Sequence, residues 1–381
     1  MGKNNFDLDS LIQLRRHLHS RPELSGLESG TARAVGDFLR AHTHAEVIEN
    51  LGGEGLAAVF ETASPGPTIM FRADLDALPI QETAAVAYRS RVEGVAHLCG
   101  HDGHMAILCG LAQYLSARPP RKGRAVLLFQ PAEETGSGAA RIIADRRFGM
   151  IRPDMAFALH NLPGYPAGAV VWRRGVCASA SRGLVVRLEG RSAQAGDPRK
   201  GISPVPAMAA LLERIPCMPE IAGIKGFALA TVVHVRLGEV AFGTAPGEAV
   251  VMATLRSHLD EDMERIFRAG EDLARDVAAA SGLKVELEAR EDFPALINHD
   301  QAVECVLTAA ATRGLAAVEA GQPMPWSEDF ARFTRICPGA LFGLGAGESH
   351  VSLHNPDYDF PDALITPGVN IFAALADDLL V

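Results

Sequence analysis

The sequence predicts an α/β sheet with helices on its faces, interrupted by a smaller α+β domain. Three observations predict it. Short apolar runs bounded by Gly and Pro alternate with helix-compatible stretches as far as Leu159. After Gly175 the order becomes strand, helix, strand, strand, helix, strand, and past Phe293 the first alternation resumes.

In order, residues 8–39 read as helix, turn, helix. Asp9 is positioned to cap the run 10–18, where Leu11, Ile12, Leu14 and Leu18 form one stripe, and Arg21-Pro22-Glu23 breaks it. Residues 56–60 and 68–72 read as buried strands, 106–115 as a helix, 125–129 as a strand, 139–145 as a helix and 155–159 as a strand. There follow a strand at 184–188, a helix at 204–214, strands at 227–237 and 250–255, a long helix at 261–280 ended by Ser281-Gly282, and a strand at 285–289. That order is ferredoxin-like. It gives one domain from residues 1–176 with 291–381 and an inserted domain at 177–290. A helix at 300–312, a strand at 339–344 and a final helix at 364–380 complete the chain. There is no internal repeat or low-complexity tract.

Asp and Glu total 46 against 36 Lys and Arg, a formal charge of −10 with no basic tract, so neither nucleic acid nor an anionic membrane surface is an expected partner. No apolar run approaches the roughly 18–20 residues that span a bilayer. The first residues lack the apolar core of a secretory signal. Gly2 invites an N-myristoylation reading, but Phe6 stands where Ser or Thr is required. Six scattered cysteines (Cys99, Cys109, Cys177, Cys217, Cys305, Cys337) lack disulfide-framework spacing and fit a reducing cytoplasm.

The densest chemistry is His97-Leu98-Cys99-Gly100-His101-Asp102-Gly103-His104, read as a loop before a helix: three His, one Cys and one Asp, all metal-ligand types. Read alone, it is either a metal site or a polar loop with a capping His and a buried thiol. Three strands then run directly into further ligand or acid residues: 68–71 into Arg72-Ala73-Asp74-Leu75-Asp76, 125–129 into Gln130-Pro131-Ala132-Glu133-Glu134, and 155–159 into His160-Asn161. In open α/β sheets the carboxyl ends of strands line the active-site crevice. The adjacent carboxylates Glu133 and Glu134 repel unless a cation or shared proton offsets them. His354, before the final helix, is a further candidate. His17, His19, His42, His44, His258 and His299 read as surface residues, and His234 as a half-buried strand imidazole.

These segments resemble the aminoacylase and carboxypeptidase-G type of metallopeptidase family, and within it the hippurate-hydrolase-like amidohydrolases. The resemblance rests on RADLDALPIQE (72–82), HLCGHDGHMA (97–106), FQPAEETGSGA (129–139), ALHN (158–161), SEDFARF (327–333) and LHNPDYDFPD (353–362), in the family's order. It implies a zinc-peptidase-like catalytic domain with an inserted dimerisation or lid domain, hence a homodimer. It also implies two divalent metal ions held by Cys99, His101, Glu134, His160 and His354, with Cys99 as a thiolate near both. Glu133 would be the general base and acid, and Asp74 and Asp76 would orient ligand imidazoles. Asp102 and His104 either do likewise or hold the loop. Zn, Mn, Co and Ni remain open, a thiolate favouring the softer ions.

Two positions depart from the family. Gln194 in Gly190-Arg191-Ser192-Ala193-Gln194-Ala195 replaces a histidine that steadies the oxyanion across the dimer, and Gly243 replaces an asparagine. Glutamine still donates an N–H but cannot be a cation. Arg256 is a candidate for a substrate carboxylate, with a surface salt bridge as the other reading. The expected activity is hydrolysis of an N-acyl amino acid or related small amide. A deaminase or ureido/carbamoyl hydrolase on the same metals is the alternative, and a non-catalytic metal-binding homologue is a third.

Overall fold

The computed structural model describes residues 5–381; the Gly2 position lies outside them. Along the chain run α1 (Leu8–His19), α2 (Ser29–His42), β1 (Glu46–Leu51), β2 (Gly55–Glu61), β3 (Thr68–Asp74), α3 (His101–Ala117), β4 (Arg124–Gln130), α4 (Gly138–Ala144), β5 (Met155–Pro163) and β6 (Val170–Trp172). Next come β7 (Ala180–Glu189), β8 (Ala193–Gln194), α5 (Val205–Arg214), β9 (Ala228–Leu237), β10 (Thr244–Ala245), β11 (Glu248–Ser257), α6 (Asp260–Ala280) and β12 (Lys284–Phe293). The chain ends with α7 (Asp300–Thr312), β13 (Ala317–Glu319), β14 (Gly339–Gly347) and α8 (Ile365–Leu379). Two compact units result. Among the described residues, one comprises residues 5–177, 297–322 and 329–381. The other comprises Ala178–Leu296 and takes in Pro323–Glu328, a segment that patterning gave no reason to place there.

In the first unit an eight-stranded sheet has the order β1-β2-β4-β3-β5-β14-β6-β13. Its centre is parallel, with Asp74 level with Gln130 and Arg72 level with Ala158, so β3, β4 and β5 end on one side. These strands are buried almost throughout, which is why they read as continuous apolar runs. Helix α3 is buried over His101–Leu115 and sits beside α1 and α8. Gly110 permits that approach: a Cβ there would lie 2.4 Å from Val369 Cγ2 and 2.8 Å from Leu11 Cδ1. Phe71, Phe157, Phe342 and Phe372 fill the space between α8 and the sheet.

The second unit is a four-stranded antiparallel sheet in the order β9-β11-β7-β12 with α5 and α6 on one face. Numbered within the unit this is 2-3-1-4, the ferredoxin-like arrangement. Alternate residues Leu184, Val186 and Leu188 of β7 and Val251, Ala253 and Leu255 of β11 meet Leu211, Met263, Ile266 and Phe267 of the helices. Strand β9 is an edge. Leu229, Val233, Val235 and Leu237 on it are exposed, as are Val240 and Phe242 in the turn beyond it.

Several local readings need correction. The N-cap of α1 is Asp7, which accepts from Ser10 N, and Asp9 sits in the first turn. The His/Cys segment is a loop only to Gly100; His101, Asp102 and His104 already belong to α3. The helix after Glu134 begins at Gly138, and His160 lies inside β5. His19 is fully buried, because Asp102 and Glu82 supply partners for both ring nitrogens. His234 is exposed on the edge strand β9.

Candidate metal centre

The carboxyl ends of β3, β4 and β5 deliver Asp74, Glu133 and His160 to one side of the sheet. Gly100, with φ +89°, turns the chain sharply between Cys99 and α3, and its Cα packs so closely on Asn161 that a Cβ would lie 2.4 Å from Asn161 Oδ1. The turn after β4 carries Ala132 at φ +51°, and His354 has φ +65°. Two non-glycine residues in the left-handed region next to ligand-type side chains mark strain that the surroundings hold in place. The His354 loop is fixed in part by its own backbone N–H, which donates to Leu98 O at 2.8 Å.

The structure brings all five expected ligands together. Cys99 Sγ lies 3.4 Å from His160 Nε2 and 3.4 Å from His354 Nε2. Glu134 Oε1 lies 3.7 Å from His101 Nε2 and 3.9 Å from His354 Nε2. The donors fall into two mutually close triads that share the thiol, Cys99–His101–His160 and Cys99–Glu134–His354. Glu133 joins His101 and Glu134 in a third, is almost wholly buried, and accepts from Asp329 N at 3.4 Å.

The chemistry of these donors fits a pair of divalent cations. His101 Nδ1 faces Asp76 O at 2.8 Å and His160 Nδ1 faces Asn161 O at 2.9 Å. Because a carbonyl can only accept, each Nδ1 carries a proton and each Nε2 is the nitrogen left for a metal. His101 Nε2 and Glu134 Oε1 are buried without a hydrogen-bond partner, an arrangement that costs roughly 1–3 kcal/mol per group unless another ligand satisfies it. Burial, helped by Asp76 and Asp74 and opposed by His101, pushes the Glu134 carboxyl up to about 7. Burial and then Glu134 hold the Cys99 thiol well above its usual range. Burial and then His104 hold His160 well below the usual imidazole value, so it is neutral. Burial also opposes a charge on His101, but Asp74 and Cys99 outweigh it and raise that imidazole well above its usual value, so a metal would displace a proton there. A bound cation reverses the penalty on Glu134 and Cys99 and matches the neutral His160.

Asp74 and Asp76 are divided differently from the sequence expectation. Asp76 orients His101 through its backbone carbonyl, while its carboxylate accepts from Ser25 Oγ at 2.6 Å and Glu134 N at 3.0 Å. Asp74 hydrogen-bonds no expected ligand. It pairs with Arg72 at 2.9 Å and His104 Nδ1 at 2.7 Å, with His101 Nε2 3.5 Å away. His104 Nε2 meets Asn161 Oδ1 at 2.5 Å, so both its nitrogens are used in holding the site. Asp329, within the SEDFARF segment, accepts from Arg72, Gln130 and Ala139 N and so ties that segment to the base of the Glu133 turn. Sequence reasoning gave Arg72, Asn161 and Asp329 no role; the only signal for them was their presence in the quoted segments.

Gln194, Gly243 and Arg256 lie in the second unit. The first two come together on one ribbon: Gln194 pairs with Thr244, and Ala195 N donates to Gly243 O at 3.0 Å. Arg256 donates to Pro325 O at 3.0 Å and Ser327 Oγ at 3.1 Å and forms no salt bridge among the described residues, which corrects the surface-pair reading. Burial lowers its pKa.

The fold and the clustered donors are those of a metal-dependent hydrolase, the class to which the comparisons also point. Residues 70–378 match peptidase family M20/M25/M40. The chain is 30% identical over 375 residues to N-acetylcysteine deacetylase of Bacillus subtilis, covering 96% of each protein. It is 29% identical over 377 residues to hippurate hydrolase of Campylobacter jejuni, covering 96% of this chain and 95% of the relative. Among solved structures it resembles the YXEP protein of Bacillus subtilis, described as a dinuclear metal-binding M20 peptidase, with 27% identity, a TM-score of 0.80 and 98% of each chain covered. The chain belongs to peptidase family M20/M25/M40 and is a hydrolase of amide C–N bonds.

Proposed function

We propose that this chain is a metal-dependent amidohydrolase that splits an N-acyl amino acid or related small amide into acid and amine, with Glu133 moving the proton. The observation that carries the reading is the pair of donor triads sharing Cys99, with Glu133 beside them. Cys99, His101, Glu134, His160 and His354 would hold two divalent ions, which when bound lower the pKa of a water toward neutrality and polarise the scissile carbonyl. Glu133 would take a proton from the attacking water as the water oxygen bonds to the carbonyl carbon, and would return that proton to the nitrogen as the C–N bond breaks. The thiol ligand favours Zn²⁺, with Mn²⁺, Co²⁺ and Ni²⁺ as the other candidates.

Arg256, a half-buried cation with no carboxylate partner among the described residues, is assigned to a substrate carboxylate. Gln194 is assigned as an N–H donor to developing negative charge. A panel of N-acyl amino acids assayed with each ion tests the whole reading. Turnover should require added metal and vanish with chelator. Stoichiometric metal without turnover on any amide would favour a binding protein, and activity confined to ureido compounds or aryl amines would move the reaction to another C–N bond.

The protein is assigned to the cytoplasm. The six free thiols support that reading, and no helix among the described residues is long and apolar enough to cross a membrane. It is also assigned as a homodimer through the second unit, on the support of the exposed apolar edge of β9, since an unpaired edge with Val233, Val235 and Leu237 is a template for pairing with another strand. Val235→Lys should convert a dimer to monomer in light scattering; a parent protein that is monomeric at working concentration would remove the assignment.

A further inference from the structure

The family match begins at residue 70, and no candidate ligand, base or substrate contact lies before it. Yet the segment joining α1 to α2 reaches the most sensitive part of the site. Glu28 stands at the N-cap of α2, a position that favours Ser, Thr, Asp or Asn, and makes no capping hydrogen bond. Its side chain is fully buried, and its Oε1 accepts from the backbone N–H of Ala132 at 2.7 Å. The capping is done instead by Glu23, which accepts from Gly30 N at 3.1 Å and Thr31 N at 2.7 Å. A residue that gives up its local role while a neighbour takes it over is being used elsewhere.

Ala132 is the left-handed residue immediately before Glu133, and strain of this kind persists only where the surroundings hold it. A second residue of the joining segment acts on the same turn. Ser25 Oγ donates to the Asp76 carboxylate that also receives Glu134 N. The turn carrying both glutamates is therefore gripped at Ala132 N by Glu28, and at Glu134 N through Asp76 and Ser25. We infer that Glu28 is a positioning residue that holds the Ala132–Glu134 turn, and with it Glu133, by the reach of its side chain and not by its charge. The inference rests on the reading of Glu133 as the proton carrier.

Two variants separate reach from charge. Glu28→Gln keeps the length and an acceptor oxygen; Glu28→Asp keeps the charge, is a better N-cap for α2, and is one methylene too short. In metal-free protein, amide exchange at Ala132 should accelerate at least tenfold in Glu28→Asp and stay within threefold of the parent in Glu28→Gln. In metal-loaded protein, kcat should fall at least tenfold in Glu28→Asp with KM within twofold and metal content unchanged, and Glu28→Gln should recover most of that loss. Unchanged Ala132 exchange and unchanged kcat in Glu28→Asp would overturn the proposal, as would a Glu28→Gln defect as large as that of Glu28→Asp. If Glu133→Gln remained active while the exchange result held, the base assignment would fall and the grip on the turn would stand.

Discussion

Glu133→Gln is expected to bind metal as the parent does and to turn over at least roughly a hundredfold more slowly, the scale of a lost general acid–base group. The substitution is conservative in shape. The amide oxygen can still accept from Asp329 N, as Oε1 does now at 3.4 Å, so the turn should not move. What the amide cannot do is take a proton and return it. The two triads that share Cys99 do not include Glu133, so metal content measured by elemental analysis should match the parent within error. A variant that kept its turnover would remove Glu133 from proton transfer. One that lost metal along with activity would place Glu133 among the ligands, through the triad it forms with His101 and Glu134.

Of the proposed ligands, Glu134 and His160 stood out because they lie at the carboxyl ends of buried strands. A strand covered on both faces is an unbroken apolar run, and an acid or imidazole at its carboxyl end stands out against that run. Cys99, His160 and the two glutamates are all of this kind or lie in the dense segment beside α3. Residues whose role depends on distant partners were not legible. His19 sits among Arg15, Arg16 and His17 and looks solvated; it is buried because Asp102 and Glu82, far off in sequence, accept it. The early start of α3 depends on the left-handed Gly100, which composition does not reveal. Strand β1, Glu-Val-Ile-Glu-Asn-Leu, is largely exposed at the edge and has no apolar run to mark it. Glu28 was invisible for a similar reason: as the residue before a helix, it resembles an indifferent cap.

The second large effect is on stability. Arg15→Met should lower stability by about 3–5 kcal/mol, the cost of stripping one partner from a buried ionic cluster. Arg15 is fully buried, with Nη1 3.2 Å from Asp102 and 2.9 Å from Asp359, Nε 2.7 Å from Asp362, and its guanidinium over the Tyr88 ring at 4.5 Å. Methionine fills similar space but leaves Asp102 with His19 as its nearest remaining cation. Asp102 would suffer most: burial raises its carboxyl, and it is His19 and Arg15 that outweigh this and hold it well below the usual range. Arg15→Lys keeps the charge but not the fork and should recover only part of the loss. Urea melts that placed Arg15→Met within about 1 kcal/mol of the parent would show that the cluster contributes little. The same cluster sets a pH dependence. Burial lowers the His19 pKa, but Asp102 and Glu82 outweigh it and raise the value from 6.5 to about 10. A raised imidazole stabilises fully below its unfolded value, so its contribution is intact below about pH 6.5 and is lost as pH rises toward 10. Across that window the parent should lose stability relative to His19→Gln with a slope approaching ~1.4 kcal/mol per pH unit; parallel curves for the two proteins would mean that His19 is neutral in the folded state.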